Sequence, residues 1–190
     1  MATSTYSVWL EPPFGSAASS RTQAFISTFA ARSGGACPPF APHVTLVGGF
    51  VGTERDALAR CAALARDLVA SDLSLACYVA DASTGERYHQ CVYLLMRPTP
   101  ALAAAHELAA RAFGVPPGNG GGAPYMPHLS LVYGRLDAER RAAAANEARA
   151  DDVLASASFV PDALGLWRTD VEDETCATWK RVDRFHLPTS

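Results

Sequence analysis

The hydrophobic positions of the chain recur with two different periods, and the elements they predict alternate between strands and helices. Short apolar runs and alternation of apolar with polar residues are typical of strands, whereas apolar residues three or four positions apart indicate amphipathic helices. The pattern predicts strands at 5–10, 73–80 and 89–96, a closing hairpin from 157–168 and 175–187, and helices at 17–31, from Thr53 to about Leu68, from Thr99 to about Phe113 and from Asp137 to about residue 150.

Capping and turn residues support these boundaries. Thr53, Thr99 and Asp137 are residue types that favour helix starts, and Thr99 precedes a proline, which the first helical turn tolerates. Residues 83–86, Ser-Thr-Gly-Glu, indicate a turn between two strands. Residues 114–123 are rich in proline and glycine and predict a flexible loop that borders the functional cleft. This loop lacks the Lys and Ser/Thr of a phosphate-binding P-loop.

Two segments of the chain are near-copies of each other. Residues 42–48 read Pro-His-Val-Thr-Leu-Val-Gly, and residues 127–134 read Pro-His-Leu-Ser-Leu-Val-Tyr-Gly. A capped helix follows each segment, so the duplication covers a strand–helix unit. Because successive side chains of a strand point to opposite faces, the histidine and the hydroxyl residue share one face and the aliphatic residues share the other. Each segment is therefore predicted to place its aliphatic face in the core.

The polar residues of these two strands, His43, Thr45, His128 and Ser130, are the candidate chemical site. If the strands lie side by side, two imidazoles and two hydroxyls converge on one cleft. Imidazoles titrate near neutral pH, so one can act as a base and the other as an acid in the same step. Hydroxyls together with an imidazolium can hold phosphate oxygens. The set suits in-line displacement at phosphorus, in which one histidine activates water and the other protonates the leaving oxygen.

Simpler interpretations of the histidine pair stay open. Either histidine alone is well explained as an ordinary strand residue with a satisfied ring, and either hydroxyl as one bonded to a neighbour. A metal site is disfavoured, because His-x-Thr lacks the usual ligand spacings and no carboxylate or cysteine cluster flanks it. We therefore expect neither a metal nor a cofactor.

Composition limits the class of ligand. The 190 residues carry a formal net charge of −3, which favours a small phosphorylated ligand over long nucleic acid, since the latter needs clustered Lys and Arg. No apolar run is long enough for a membrane span, and no signal peptide is recognisable. The five cysteines form no Cys-x-x-Cys pair or zinc pattern, and Cys61 falls on an apolar helix face. We expect reduced thiols and a monomeric, cytoplasmic protein.

The paired motifs resemble those of the two-histidine (2H) phosphoesterase superfamily. Beyond the motifs, the sequence from residue 6 to about residue 180 resembles the plant-type cyclic phosphodiesterases. The supporting segments are Tyr-Ser-Val-Trp at 6–9, Ser-Thr-Gly at 83–85, Gln-Cys-Val-Tyr-Leu-Leu at 90–95, Pro-Tyr-Met-Pro-His-Leu-Ser-Leu at 124–131, and Thr169, Asp170 and Trp179 near the C-terminus.

This resemblance implies an α+β fold of two pseudo-symmetric lobes, with antiparallel sheets and outer helices around a central cleft, formed by one domain over residues 1–190. It implies metal-independent hydrolysis of ADP-ribose 1″,2″-cyclic phosphate to ADP-ribose 1″-phosphate and of nucleoside 2′,3′-cyclic phosphates to 2′-phosphates, downstream of tRNA splicing. Two alternatives remain: an RNA end-processing enzyme or ligase of the same superfamily that acts on oligonucleotides, and a phosphate-binding module without turnover.

The resemblance also implies roles for individual residues. His128 activates water and His43 protonates the leaving oxygen, although a pseudo-symmetric site can run either way. Thr45 and Ser130 hold the phosphate. Tyr133 matches a family residue that contacts the ligand. Strict alternation would place Tyr133 on the core face, but a strand end or bulge beside the following glycine would turn it into the cleft.

Several other aromatic and polar residues are weaker candidates. Trp9 and Tyr125 are candidates for stacking on a base or ribose, with ordinary packing as the alternative, and Gln90 is a further ligand candidate. His106 is expected at the surface or half-buried in its helix. His89 has no assigned role.

Overall fold

Strands and helices alternate along most of the chain, and every strand pair is antiparallel. The computed structural model describes residues 2–118 and 123–188. The strands of this part are β1 (Ser4–Glu11), β2 (Val44–Gly52), β3 (Cys77–Thr84), β4 (Val92–Met96), β5 (His128–Val132), β6 (Ser158–Phe159), β7 (Ala163–Arg168) and β8 (Lys180–His186). The helices are α1 (Ala17–Arg32), α2 (Glu54–Ala70), α3 (Pro100–Phe113), α4 (Ala138–Arg149) and α5 (Asp152–Ala155), and a 3₁₀ turn, Tyr88–Gln90, precedes β4.

The two motif strands lie at the centre of the sheet. The strand order is β6-β3-β4-β5-β2-β1-β7-β8, and β2 pairs with β5 through Val44 and Leu129. The order of elements on the two sides is equivalent, since β1-α1-β2-α2 corresponds to β4-α3-β5-α4. A pseudo-twofold axis therefore passes between β2 and β5 and relates the two motifs.

The helices that connect the inner strands cross from one half of the sheet to the other. Helix α1 follows β1 but packs against β5, and α3 follows β4 but packs against β2. Helix α2 lies beside α3 and contacts β1, β7 and β8, while α4 and α5 contact β3. The exchange of α1 and α3 between the halves links the two motif strands through helices as well as through their own pairing.

The aliphatic faces of both motif strands lie in the core, as the alternation predicts. Val44 and Leu46 of β2 and Leu129 and Leu131 of β5 are at most 2% exposed and belong to one buried apolar cluster. Residues of the helices, most of them in α2 and α3, and of neighbouring strands belong to the same cluster. Because this face is buried, a shift of register by one residue would expose it, so burial fixes the side on which the histidines appear.

The predicted helix starts are confirmed. The side chains of Thr53, Thr99 and Asp137 each accept a hydrogen bond from the backbone N–H three residues later, which satisfies a donor that the helix leaves unpaired. The expected α+β architecture of antiparallel strands with outer helices is also confirmed. Among the described residues, no helix combines the length and apolar character needed to span a membrane.

Several predicted boundaries were wrong, among them the start of β4, which begins at Val92 and not at residue 89. Strand β3 begins at Cys77, and it includes Ser83 and Thr84, which pair with β4 instead of forming the turn. The first arm of the closing hairpin is split, since Ser158 pairs with β3 and the proline at 161, which has no N–H to donate, separates it from β7. Helix α5 was not predicted.

The second arm of the hairpin begins later than predicted. Residues 175–179 form turns before β8. The Asp173 carboxylate accepts hydrogen bonds from the backbone N–H groups of Thr175, at 3.0 Å, and Thr178, at 2.8 Å. These bonds replace strand pairing for this segment, because they satisfy its backbone donors locally. The proline- and glycine-rich loop is described at 114–118 and at 123, and its residues 119–122 lie outside the described part.

A buried carboxylate joins three strands beside the cleft. Glu11 at the end of β1 is 7% exposed and accepts hydrogen bonds from Trp167 Nε1 of β7 at 2.7 Å. From β8, Arg181 Nη1 donates to Glu11 at 3.2 Å and Arg184 Nε donates at 3.3 Å. A buried charge requires such partners. Their bonds fix the relative positions of β1, β7 and β8, and β1 carries Trp9 into the cleft.

We expect Gly165→Ala to destabilise this arrangement. A Cβ atom at Gly165 would overlap the Glu11 carboxylate and lie 2.8 Å from Trp167 Nε1. Overpacking of this kind lowers the free energy of unfolding by about 1–3 kcal/mol, which urea denaturation measures. The control is Gly52→Ala, where the nearest atom to an added Cβ is 3.9 Å away. Equal stability of the two variants would contradict the packing described.

Candidate active site

Both motif histidines are held by the same local hydrogen bond. His43 immediately precedes β2, and His128 is the first residue of β5. Nδ1 of His43 lies 2.6 Å from the Ala41 carbonyl oxygen, and Nδ1 of His128 lies 2.9 Å from that of Met126. A carbonyl oxygen only accepts, so Nδ1 is the protonated nitrogen of each neutral ring. Each ring therefore keeps Nε2 as its proton-accepting nitrogen.

The five residues singled out in the sequence meet in one cleft. Its volume is about 620 Å³, within the range of small-ligand sites. The residues from the motifs that line it are His43, Thr45, His128, Ser130 and Tyr133. Val115, Pro116 and Gly118 also line it, so the described part of the proline- and glycine-rich loop borders the cleft as expected.

The His43 ring is held between aromatic side chains. Trp9 stacks on it with a centroid distance of 3.5 Å and 6° between the ring planes, and Trp167 stacks on Trp9 at 4.5 Å. Tyr133 Oη lies 3.4 Å from His43 Nε2. The sequence made Trp9 a candidate for stacking on a ligand. In the structure, one face of its indole covers His43. The surrounding aromatic rings restrict the orientation of the imidazole.

Burial disfavours the charged form of both imidazoles when no ligand is bound. Desolvation lowers the pKa of His43 to about 3, against a smaller upward effect of the hydrogen bond to Ala41 and with a further lowering by a charge on His128. Desolvation also lowers the pKa of His128, opposed by the bond to Met126. The buried imidazolium form is disfavoured because it loses its hydration. An anionic ligand would reverse this preference by supplying a compensating charge.

The aromatic side chains around His128 are arranged differently from those around His43. Tyr93 approaches His128 edge-on, with centroids 5.2 Å apart and 63° between the planes, whereas His43 carries a stacked indole. His128 is half-buried and His43 is 4% exposed. The two sides of the pseudo-symmetric site are therefore not equivalent.

The hydroxyl residues flank the imidazoles on the same face of the sheet. Thr45 is half-buried, and Ser130 is 4% exposed with its Oγ donating to the His89 carbonyl at 3.3 Å. Tyr133 lies one residue beyond the end of β5, so the alternation of the strand no longer applies to it. It points into the cleft, as the strand-end interpretation expected. Burial raises the pKa of its phenol, which therefore remains a neutral donor.

His106 is buried, so the prediction of a surface or half-buried position was wrong. Its Nδ1–H donates to the Leu46 carbonyl at 2.7 Å, and its Nε2 accepts from the Gly118 N–H at 2.6 Å. Its ring stacks on Tyr125 at 4.1 Å, and Tyr125 Oη donates to the Thr45 carbonyl at 2.8 Å. His106 and Tyr125 thus hold the backbone of the first motif and one end of the loop. The signal in the sequence is the helical spacing of His106 from buried apolar residues of α3, namely Leu102, Ala109, Ala110 and Phe113.

His89, which had no assigned role, lies in the wall of the cleft. Its ring is 5.0 Å from that of Tyr133 and 5.6 Å from that of Trp179. Its Nε2 is buried without a hydrogen-bond partner among the described residues, and burial lowers the pKa of the ring. No pattern in the sequence indicates this position, since His89 belongs to an irregular 3₁₀ turn. Gln90 also lines the cleft.

Among the described residues, neither a metal-binding cluster nor an exposed thiol accompanies the imidazole pair. Among residues 2–118 and 123–188, no three His, Cys, Asp or Glu side chains are grouped so as to hold a metal ion. The five cysteines are buried and unpaired. Cys61, which falls on the apolar face of its helix, is buried, and burial raises the pKa of its thiol to about 12. Such a thiol is inert at neutral pH.

Two imidazoles at the starts of adjacent antiparallel strands, each beside a hydroxyl and both open to one cleft, are the arrangement expected of a two-histidine phosphoesterase. The profile of the 2'-5' RNA ligase superfamily matches residues 16–173. A protein named Cyclic phosphodiesterase from Arabidopsis thaliana is 35% identical over 146 residues, which are 76% of each protein. The chain therefore belongs to the 2'-5' RNA ligase superfamily, the 2H phosphoesterases, and is an enzyme. The resemblance read from the paired motifs is confirmed.

Solved structures with low sequence identity share the fold. LigT of E. coli, in a crystal structure complexed with ATP, superposes with a TM-score of 0.55 at 14% identity, covering 98% of this chain and 99% of LigT. Usb1 of Kluyveromyces marxianus superposes with a TM-score of 0.56 at 10% identity, covering 97% of this chain and 98% of Usb1. The two-lobed architecture expected from the motifs is thus confirmed.

We expect NMR titration to find the His43 imidazole neutral at pH 6 in the ligand-free protein, because burial lowers its pKa to about 3, and to find the pKa of His128 below the ordinary value of 6.5. Addition of a nucleoside 2′-phosphate should raise the pKa of at least one of them, since a nearby anion stabilises the imidazolium. Long-range ¹H–¹⁵N spectra report the charge of each ring, and the exposed His186 is the control. Unshifted titration of His43 near 6.5 would contradict the structure.

The lowered pKa of His43 also predicts how the stability of the folded protein changes with pH. The folded-state pKa of His43, about 3, lies below the ordinary value of 6.5, so the unfolded chain binds more protons between these values. The stability that the neutral ring contributes is present above pH 6.5 and is lost as the pH falls toward 3. One such group changes the free energy of unfolding by at most about 1.4 kcal/mol per pH unit.

Proposed function

We propose that the protein hydrolyses cyclic phosphodiesters by acid–base catalysis between His43 and His128. The observation that carries the proposal is the matched pair of Nδ1–H bonds to main-chain carbonyls, which leaves an Nε2 atom on each ring to exchange a proton in the shared cleft. The Arabidopsis relative named Cyclic phosphodiesterase supports the same reaction class.

The reaction proceeds by in-line displacement at phosphorus. The Nε2 of one histidine accepts a proton from water as the water oxygen forms a bond to phosphorus. The bond from phosphorus to the leaving ring oxygen breaks, and the second histidine, as an imidazolium, donates its Nε2 proton to that oxygen. The product is a phosphate monoester with a free hydroxyl. Proton exchange with solvent then restores the starting charges of the two rings.

We assign the base to His128 and the acid to His43. The stacked indole of Trp9 supports this assignment, since the face of an aromatic ring stabilises a cation and so favours the imidazolium that an acid requires. His128 has only an edge-on contact with Tyr93. The anionic substrate supplies the additional stabilisation that allows His43 to be protonated when buried.

Thr45 and Ser130 bind the non-bridging phosphate oxygens, and Tyr133 contacts the ligand through its phenol. The substrates we propose are ADP-ribose 1″,2″-cyclic phosphate, giving ADP-ribose 1″-phosphate, and nucleoside 2′,3′-cyclic phosphates, giving 2′-phosphates, in reactions that follow tRNA splicing. The aromatic wall formed by His89 and Trp179 supports a nucleoside ligand, because bases stack on such rings.

The charge needed for the reaction is supplied by the imidazoles and hydroxyls, so we propose that turnover requires neither metal nor cofactor. One chain carries both motifs in one two-lobed domain, which supports a monomeric enzyme. Its ligand is a small cyclic phosphate and not long nucleic acid or a membrane, in keeping with the net charge of −3. The buried thiols suit a reducing compartment, and we propose a cytoplasmic location.

We expect His43→Asn and His128→Asn each to lower kcat for adenosine 2′,3′-cyclic phosphate by roughly 10²–10⁴, the usual size of an acid–base contribution. Asparagine provides an amide donor in place of Nδ1–H but has no titrating group. The wild-type profile of kcat/KM against pH should be bell-shaped, with one limb missing in each variant. His186→Asn, on the exposed end of β8, is the matched control and should retain the wild-type rate. Wild-type turnover by either motif variant would refute the mechanism.

A further inference from the structure

Among the described residues that line the cleft, one carries a permanent charge. Arg87 is the only Lys or Arg among the described residues that line it, and the described lining contains neither Asp nor Glu. The four residues 119–122, outside the described part, are Asn and Gly and carry no charge. Apart from the titrating imidazoles, the electrostatic attraction of the cleft for an anion therefore depends on Arg87.

The guanidinium of Arg87 is available for a ligand. The side chain is exposed, and within the described part of the chain no carboxylate forms an ion pair with it. By contrast, Arg135 near the neighbouring Tyr88 pairs with Glu174, and Arg181 pairs with Glu11. An unpaired guanidinium is a planar donor that matches two phosphate oxygens at once.

The backbone beneath Arg87 is fixed relative to the second motif. Arg87 caps the 3₁₀ turn, and its carbonyl accepts from the Gln90 N–H at 3.0 Å. The Tyr88 carbonyl accepts from Gly134 at 3.0 Å, and the His89 carbonyl accepts from Ser130 Oγ. An exposed side chain thus extends from an anchored turn in the wall of the cleft.

The phosphate that reacts does not need this arginine. The imidazole pair and the hydroxyls of Thr45 and Ser130 already provide proton transfer and hydrogen bonds at that phosphorus. A nucleoside 2′,3′-cyclic phosphate carries no other charge, whereas ADP-ribose 1″,2″-cyclic phosphate carries a diphosphate as well. A cation that lines the same cleft but belongs to neither motif is suited to distinguish these two ligand classes.

We infer that Arg87 binds a second phosphate of the substrate, away from the phosphorus that reacts, and so selects diphosphate-bearing cyclic phosphates over cyclic mononucleotides. The inference rests on the proposed function. Arg87 is a specificity-determining residue and takes no part in proton transfer. Because the contact is present in both the ground state and the transition state, its loss raises KM and leaves kcat nearly unchanged.

The experiment compares kcat and KM of the wild type, Arg87→Gln and Arg87→Lys on two substrates that both contain adenosine: ADP-ribose 1″,2″-cyclic phosphate and adenosine 2′,3′-cyclic phosphate. We expect Arg87→Gln to lower kcat/KM for the diphosphate substrate roughly tenfold, as for a lost hydrogen bond to a charged group, and to leave the adenosine substrate within about twofold. Arg87→Lys should recover part of the loss, because it keeps the charge without the planar fork.

The matched control is Arg66→Gln, which removes the same charge from an exposed position of α2 outside the cleft. It should not change the preference between the two substrates. Raising the salt concentration should weaken the diphosphate preference of the wild type and leave that of Arg87→Gln nearly constant, since salt screens an exposed ion pair. Equal effects of Arg87→Gln on both substrates, or the same loss of preference in Arg66→Gln, would overturn the inference.

A binding measurement separates this inference from the proposed function. Calorimetric titration with ADP-ribose 1″-phosphate and with adenosine 2′-phosphate requires no turnover. Weaker binding of the diphosphate ligand alone by Arg87→Gln supports the inference even if the wild type hydrolyses neither cyclic phosphate, a result that would reject the hydrolase mechanism. Unchanged binding of both ligands by Arg87→Gln would overturn the inference, whatever the activity.

Discussion

The antiparallel pairing of β2 with β5 is the constraint on which the site depends. Val44 and Leu129 face each other at this seam, and their neighbours along each strand bury the aliphatic faces in one core. Since side chains alternate, burial of those faces places both histidines and both hydroxyls on the other side. Helices α1 and α3, which cross between the two halves, pack against β5 and β2 and so stabilise this strand pair. Hydrophobic burial therefore determines the face of the sheet on which the catalytic candidates lie.

Burial of the imidazoles has an electrostatic consequence that suits an anionic substrate. Burial lowers the pKa of both rings, so the ligand-free site disfavours their imidazolium forms. Under the mechanism we propose, a cyclic phosphate supplies the negative charge that favours imidazolium, so substrate binding and protonation of the acid are coupled. The stacked Trp9, supported in turn by Trp167 and Glu11, acts on one ring only and breaks the pseudo-symmetry of the duplication.

The duplicated motif predicted the parts of the site that lie on regular strands, and periodicity predicted the capped helices. Where local patterns do not determine contacts, prediction failed. The end of β3 depends on its partner strand, and the hairpin before β8 depends on the Asp173 carboxylate. The helical spacing in the sequence indicates that His106 is buried. Its hydrogen-bond partners Leu46 and Gly118, however, lie outside its helix and are not indicated by that spacing. His89 and Arg87 belong to an irregular turn, whose place beside the cleft follows only from tertiary contacts.

The most direct test of the account is ³¹P NMR of the purified protein with excess adenosine 2′,3′-cyclic phosphate in the presence of EDTA. Metal-free attack of water with protonation of one leaving oxygen predicts conversion to a single product, the 2′-phosphate. A mixture of 2′- and 3′-phosphates, or conversion that stops when EDTA is added, would contradict catalysis by an oriented pair of imidazoles.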